Sequence, residues 1–241
     1  MNWKRMLVLP AVAAGLVTLL TGMPAAAQYE EPREYTIGEA RFVAVGVVHR
    51  DFRPRSGNSS PDSAAIRYKA YMPVVSFHQG PLDVGIGYTR YTLAGSTQSS
   101  VYVGAVLTNE VPVTVSRLHA LAVPLCLAVD FTKAEGVGPE RDNFNIASLG
   151  IGTGLRYRYL GEGAEGTVRL LGVVHYSFEG LSTGSGSSVG LFGDVTLILR
   201  SIHIGEGLAL GYRVRYQQWS MNDARFDYRA MHHGPYLGIL F

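Results

Sequence analysis

From about residue 41 to the last residue, apolar and polar side chains alternate with a period of two, the spacing that puts neighbouring residues on opposite faces of a β-strand. Leu82, Val84, Ile86 and Tyr88 share one face, while Asp83, Gly85, Gly87 and Thr89 share the other. In the next example Val189, Leu191, Val195, Leu197 and Leu199 oppose Gly190, Phe192, Asp194, Thr196 and Arg200. Leu208, Leu210, Tyr212, Val214 and Tyr216 likewise oppose Ala209, Gly211, Arg213, Arg215 and Gln217. Helical periodicity is absent. The pattern predicts ten strands near residues 41–52, 64–77, 82–93, 100–111, 118–132, 144–160, 167–178, 188–201, 207–218 and 228–241.

The predicted connections alternate in character. Those over residues 52–63, 94–99, 133–143, 179–187 and 219–227 are mostly longer and polar; those over 78–81, 112–117, 161–166 and 202–206 are short. Short turns at one rim and longer loops at the other characterise barrels that cross an outer membrane, with the short turns periplasmic. The expected fold is therefore all-β: a closed antiparallel up-and-down transmembrane barrel of about ten strands, with eight as the alternative count.

A soluble barrel alternates too, with its oily face turned inward. Strand length argues for the membrane, because roughly 9–11 residues at a tilt near 45° cross the hydrocarbon, whereas soluble strands more often run about 5–6. So does the chemistry of the polar face, where bases stand beside glycines that leave room in a narrow lumen. An arginine facing mid-bilayer lipid would cost roughly 2–4 kcal/mol, so the register that turns the bases inward is preferred over its one-residue slip. This register predicts a lumen network of Arg67, Lys69, Arg156, Arg158, Arg169, Arg200, Arg213 and Arg215 against Asp83, Glu110, Asp130 and Asp194. Pro73 and Pro124, inside predicted strands, should bring bulges or missing hydrogen bonds. Tyr88, Tyr91, Tyr157, Tyr159, Tyr176, Tyr212, Tyr216, Trp219 and Tyr228 are candidates for an interfacial aromatic girdle.

The first twenty-seven residues read as an export signal: Lys4 and Arg5, an apolar stretch from Met6 to Leu20, and Ala25-Ala26-Ala27 as cleavage site. Cleavage after Ala27 would leave residues 28–241 as one barrel domain, with formal charge 0 in place of +2, which removes the electrostatic footprint of a nucleic-acid binder. One cysteine, Cys126, cannot form an internal disulfide. Charged residues make up only 17% of the chain, against roughly 25% in soluble domains, so something other than water faces part of this surface.

The ending Tyr236-Leu237-Gly238-Ile239-Leu240-Phe241 resembles the terminal strand of bacterial outer-membrane β-barrel proteins, in which a final Phe preceded by alternate apolar residues is read by the assembly machinery. The resemblance implies an outer-membrane location, Leu237, Ile239 and Phe241 as an assembly signal, the barrel-assembly machinery as a partner, and outer-membrane lipid and lipopolysaccharide as surroundings. Pro235 departs from a plain strand, which suggests a rim position or a bulge there.

Three functions fit. The first is a non-enzymatic barrel with a structural, surface-interaction or small-ligand role, in which the lumen charges pair off inside a side-chain-filled interior. The second is a narrow anion-favouring pore, since rings of bases select anions. The third rests on His175-Tyr176-Ser177, which resembles the His-x-Ser element of the outer-membrane lipid A deacylases. By that resemblance His175 is the base and Ser177 the nucleophile, although Phe178 stands where that family has asparagine. The remaining histidines lack clustered partners, so neither metal nor cofactor is expected.

Overall fold

The computed structural model describes residues 40–55, 65–137, 143–179, 184–202 and 204–241. The export segment, residues 1–27, lies outside them. Ten strands run in chain order: β1 (Arg41–Pro54), β2 (Tyr68–Gln79), β3 (Leu82–Leu93), β4 (Ser96–Val115), β5 (His119–Ala134), β6 (Phe144–Leu160), β7 (Ala164–Glu179), β8 (Ser185–Leu199), β9 (Gly207–Met221) and β10 (Tyr228–Leu240). Each pairs antiparallel with its sequence neighbours, and β1 pairs with β10, so the sheet closes on itself. Closure matters because an unpaired backbone N–H or C=O in hydrocarbon costs several kcal/mol, and a closed sheet has no edge.

The alternation read from the sequence becomes an inside and an outside. Val45, Ile151 and Val174 are 58%, 68% and 61% exposed, although each is flanked by a buried or half-buried residue that points into the barrel. These aliphatics form a band around the outside of a barrel whose interior holds the charged side chains, the reverse of a water-soluble barrel. No helix of the described residues is long and apolar enough to cross a membrane, which says nothing of a β-barrel.

Several local expectations change. The connection expected over residues 94–99 shrinks to a two-residue hairpin turn, with Ala94 at φ 48° and Gly95 at φ 81°. Both central residues lie in the left-handed region that a type I′ turn demands, so β4 begins at Ser96. Pro124 interrupts pairing as expected: the β5–β6 ladder lapses between Ala122–Arg156 and Leu125–Thr153, and Thr153 donates its hydroxyl to the Pro124 carbonyl at 2.8 Å. At Pro73 the β2–β3 ladder ends, starting only at Val74–Gly87, and Thr89 Oγ1 donates to the Tyr71 carbonyl. Pro235 is a correction. It sits inside β10 with the register unbroken, and β1–β10 pairing merely lapses between Gly46–Tyr236 and His49–His233. The bulge occurs instead at Pro112/Thr114, towards the short-turn end of β4.

Candidate functional site

The lumen is layered. At the loop end Phe52, Tyr68, Tyr91, Phe144, Trp219 and Tyr228 converge from six strands. Tyr68 and Tyr91 stack at 3.8 Å between centroids, Phe52 and Tyr228 at 4.9 Å, and Phe144 meets Trp219 edge-on at 5.1 Å. Phe226, on a single 3-10 turn (Ala224–Phe226) before β10, closes over Phe144. Trp219 and Phe144 are essentially inaccessible, so the layer is an aromatic plug. A barrel of this width has an interior that side chains can fill, and rings fill it with little entropy to lose.

Beneath the plug lie two charge clusters. In the first, Arg215 pairs with Asp130, whose other oxygen lies 3.2 Å from His175 Nε2. In the second, Arg213 donates to His78 Nε2 at 3.1 Å, His78 contacts Asp83 through Nδ1, Asp83 also takes Arg169, and Arg169 Nε reaches Asp194 at 2.8 Å. This chain ties β9, β2, β3, β7 and β8 together across the lumen. Arg156 pairs with Glu110, and Glu165 takes Arg200 at 2.8 Å and Arg158 at 3.9 Å near the short turns. A cavity of about 70 Å³ lies between the clusters, lined by Asp83, Tyr102, Arg169, Asp194, Arg213 and Arg215 among others. It has room for a few waters, at roughly 10–15 Å³ each on this measure, or one small ion. The glycines beside the lumen bases make room for other groups than guanidinium: a Cβ on Gly150 would meet the His175 ring, one on Gly154 the Leu170 backbone and one on Gly211 the Tyr236 ring, whereas the glycine that faces Arg215 is Gly104, where a Cβ would lie 2.8 Å from Nη1.

Of the twelve lumen residues expected from the sequence, Asp83, Glu110, Asp130, Arg156, Arg158, Arg169, Asp194, Arg213 and Arg215 face inward. Arg200 stands at the short-turn mouth with its side chain 40% exposed. Arg67 and Lys69 are the correction. Tyr68, buried between them, and then Met72 and Ser76 form the inner face of β2, so the two bases face outward. Lys69 instead approaches Asp51 at 3.9 Å on the outside. The girdle is corrected likewise: Tyr88, Tyr159, Tyr176 and Tyr212 are exposed outside, but Tyr91, Trp219 and Tyr228 belong to the plug.

The sequence reading missed Arg50. It is fully buried, donates to Met72 Sδ at 3.7 Å and lies 5.5 Å and 6.0 Å from the Phe52 and Tyr68 ring centres. Its Nε and Nη2 have no partner, and none of the ion pairs of the described residues includes it. With Arg50 and Glu165 inside and Arg67 and Lys69 outside, the surplus of base expected in the lumen shrinks.

His175 and Ser177 share the inner face of β7, both buried. The histidine has an acid, Asp130, but Ser177 Oγ is 2.8 Å from Ser148 Oγ and 3.2 Å from Ser188 Oγ, and His175 Nδ1 has no partner. The structure therefore gathers a serine cluster beside a His–Asp pair, under the plug and away from the lipid-facing surface. Among the described residues no three metal-ligating side chains gather. Leu237 and Ile239 on β10, and Phe241 just beyond its end, are all exposed on the outside.

No family model and no curated protein sequence matches the chain. Some solved structures are similar at low identity and low TM-score. Neisserial surface protein A is 12% identical, with 83% of this chain and 97% of that chain covered and a TM-score of 0.34. The outer membrane protease OmpT of Escherichia coli is 8% identical over 84% and 96%, with a TM-score of 0.32. The attachment invasion locus protein Ail of Yersinia pestis is 9% identical over 85% and 100%, with a TM-score of 0.24. These likenesses concern the barrel and say nothing about activity. The fold is a closed, ten-stranded, antiparallel up-and-down β-barrel.

Proposed function

We propose that the protein is an integral protein of the bacterial outer membrane that acts through its surface, with a lumen shut as a structural core and without enzymatic activity. The aromatic plug is the observation that carries this reading, because six strands contribute a ring each to one layer in which Phe52, Phe144 and Trp219 are essentially inaccessible. The lumen charges below it are spent largely on one another, as in a structural interior. The aliphatic band outside supports insertion among lipid and lipopolysaccharide, and the outward row Leu237, Ile239 and Phe241 supports a role for β10 as the strand that the assembly machinery engages. The buried, serine-bonded Ser177 argues against the hydrolase, since an acyl chain outside the barrel has no route to it.

Planar-bilayer recording tests the closed lumen. The purified protein, inserted with verified orientation, should give no stepwise conductance. Steps with an anion-selective reversal potential would establish the pore instead. Lipid A from cells carrying Ser177→Ala should match wild-type lipid A in mass; a difference would reinstate the hydrolase.

A further inference from the structure

The outside of the barrel is uncharged over most of its height, but its bases are not spread evenly. Arg53 on β1, Arg67 and Lys69 at the start of β2, Arg90 on β3 and Arg229 on β10 all stand at the loop end of four adjacent strands. The outward positions at the same end of β6 to β9, such as Asn145, Phe178, Ser187 and Gln218, carry no charge. Two of these bases directly oppose one another: Arg53 and Arg229 are register partners across the β1–β10 ladder, on the outer face. Like charges in opposed positions destabilise a strand pair. The acid beside them, Asp51, is shared, 3.7 Å from Arg53 and 3.9 Å from Lys69, and Arg229 Nε has no partner. Among the described residues, five bases thus stand against Asp51 and, two places before Arg229, Asp227, so the face is short of anion.

What lies next to it along the same strands identifies the missing group. One step towards the short turns come His49, edge-on to Tyr71 at 5.7 Å and 5.3 Å from His233, and then Tyr88. Beyond them the outer face is aliphatic: Val47, Val75, Ile86 and Leu237. Bases, then amphipathic rings, then aliphatics repeat the order of phosphate, head-group sugar and acyl chains in a membrane glycolipid.

We propose that the outer face of β10–β1–β2–β3 binds the phosphate of a phosphorylated glycolipid of the outer leaflet, of the lipid A kind, between Arg53 and Arg229, with Lys69 and Arg90 flanking. Guanidinium forks suit phosphate oxygens, and the acyl chains lie along the aliphatic band below. The inference rests on the outer-membrane reading above, with the loops at the outer leaflet.

The test uses the purified barrel in detergent micelles, titrated with bisphosphorylated lipid A. Folding of every variant is checked first by heat-modifiable migration on a denaturing gel. Arg53→Gln/Arg229→Gln should weaken binding at least tenfold, Lys133→Gln on the far strand β5 should leave it unchanged, and dephosphorylated lipid A should bind poorly to wild type. Without lipid the double variant should be at least as heat-stable as wild type, since two opposed charges are removed. Equal affinity of wild type and double variant, equal binding of dephosphorylated lipid A, or equal binding of phosphatidylglycerol would each overturn the site. Competition by millimolar inorganic phosphate alone would overturn the lipid as its source. Failure of the wild-type barrel to insert into lipid vesicles, measured without lipid A, would instead strike the outer-membrane reading.

Discussion

Phe52 on β1 and Phe144 on β6 meet edge-on with ring centroids 5.0 Å apart. Five places separate these strands around the ring of ten, so the contact spans the lumen from wall to wall. Removing one of these rings is both a packing loss and an opening. Phe144→Ala should lower unfolding stability by about 3–5 kcal/mol, the usual cost of truncating a buried aromatic, and should introduce conductance in planar bilayers where wild type is expected to show none. Urea titration in vesicles and single-channel recording measure the two effects. A destabilised variant that still conducts nothing would locate the seal elsewhere.

Two buried arginines should respond oppositely to the same substitution. Arg169 holds Asp83 and Asp194 at once, so Arg169→Met strands Asp194 and leaves Asp83 with His78 alone, and should cost about 3–5 kcal/mol. Arg50 has a thioether and two rings but no acid. Arg50→Met removes an uncompensated buried charge and should be neutral or stabilising, since burying charge without a partner is what costs. Paired unfolding curves decide it; a loss at Arg50 equal to that at Arg169 would contradict the assignment.

Ala94 holds φ at 48°, a conformation that costs a residue with a Cβ roughly 1–2 kcal/mol. Asparagine tolerates it better and is favoured in type I′ turns. Ala94→Asn should therefore raise stability by up to about 1 kcal/mol, read from the heat-modifiable transition. A loss of stability would show that the turn is not type I′.

Beyond the end of β5, Glu135 accepts from the Ser99 hydroxyl at 2.7 Å and from the Ser99 amide at 3.0 Å, with Lys133 Nζ at 3.2 Å. These contacts, the Ser99 hydroxyl first, hold its carboxyl below the ordinary glutamate value. A depressed folded value means that the contribution is complete above the unfolded glutamate pKa and is lost as pH falls through the folded one. Amide exchange at Ser99, corrected for its intrinsic pH dependence, should lose protection over that acid range in wild type, and the step should vanish in Glu135→Gln. Identical profiles would remove Glu135 from the account.

The barrel was legible because lipid demands a nearly unbroken apolar row on one face, and β3, β8 and β9 display it. The failures share a cause. A lumen filled with rings and thioethers is as apolar as the lipid face, so in β2 the alternation of Tyr68, Ala70, Met72 and Val74 with Arg67, Lys69, Tyr71 and Pro73 offers no clean oily side. Turning the bases inward there slipped the strand by one residue. Arg50 escaped because His49 and Asp51 flank it and no contrast in polarity marks its face. The inward orientation of Trp219 and Tyr91 is legible in the register, since Trp219 shares its parity with Arg213 and Arg215, and Tyr91 with Asp83; an aromatic at a strand end fits the interface and the lumen equally well by composition alone. The anion-poor patch around Arg53 and Arg229 was not readable, because it exists only once β1 meets β10, residues remote in sequence.

The outer face of the barrel must touch lipid and the inner face must not. Single cysteines at Ala128 and Val129, in a Cys126→Ala background, place a probe on each face of one strand at the same height. With the barrel in vesicles and a quencher fixed in the acyl chains, the fluorophore at 129 should be strongly quenched and the one at 128 spared. Equal quenching at both positions, or quenching at 128 alone, would contradict the account.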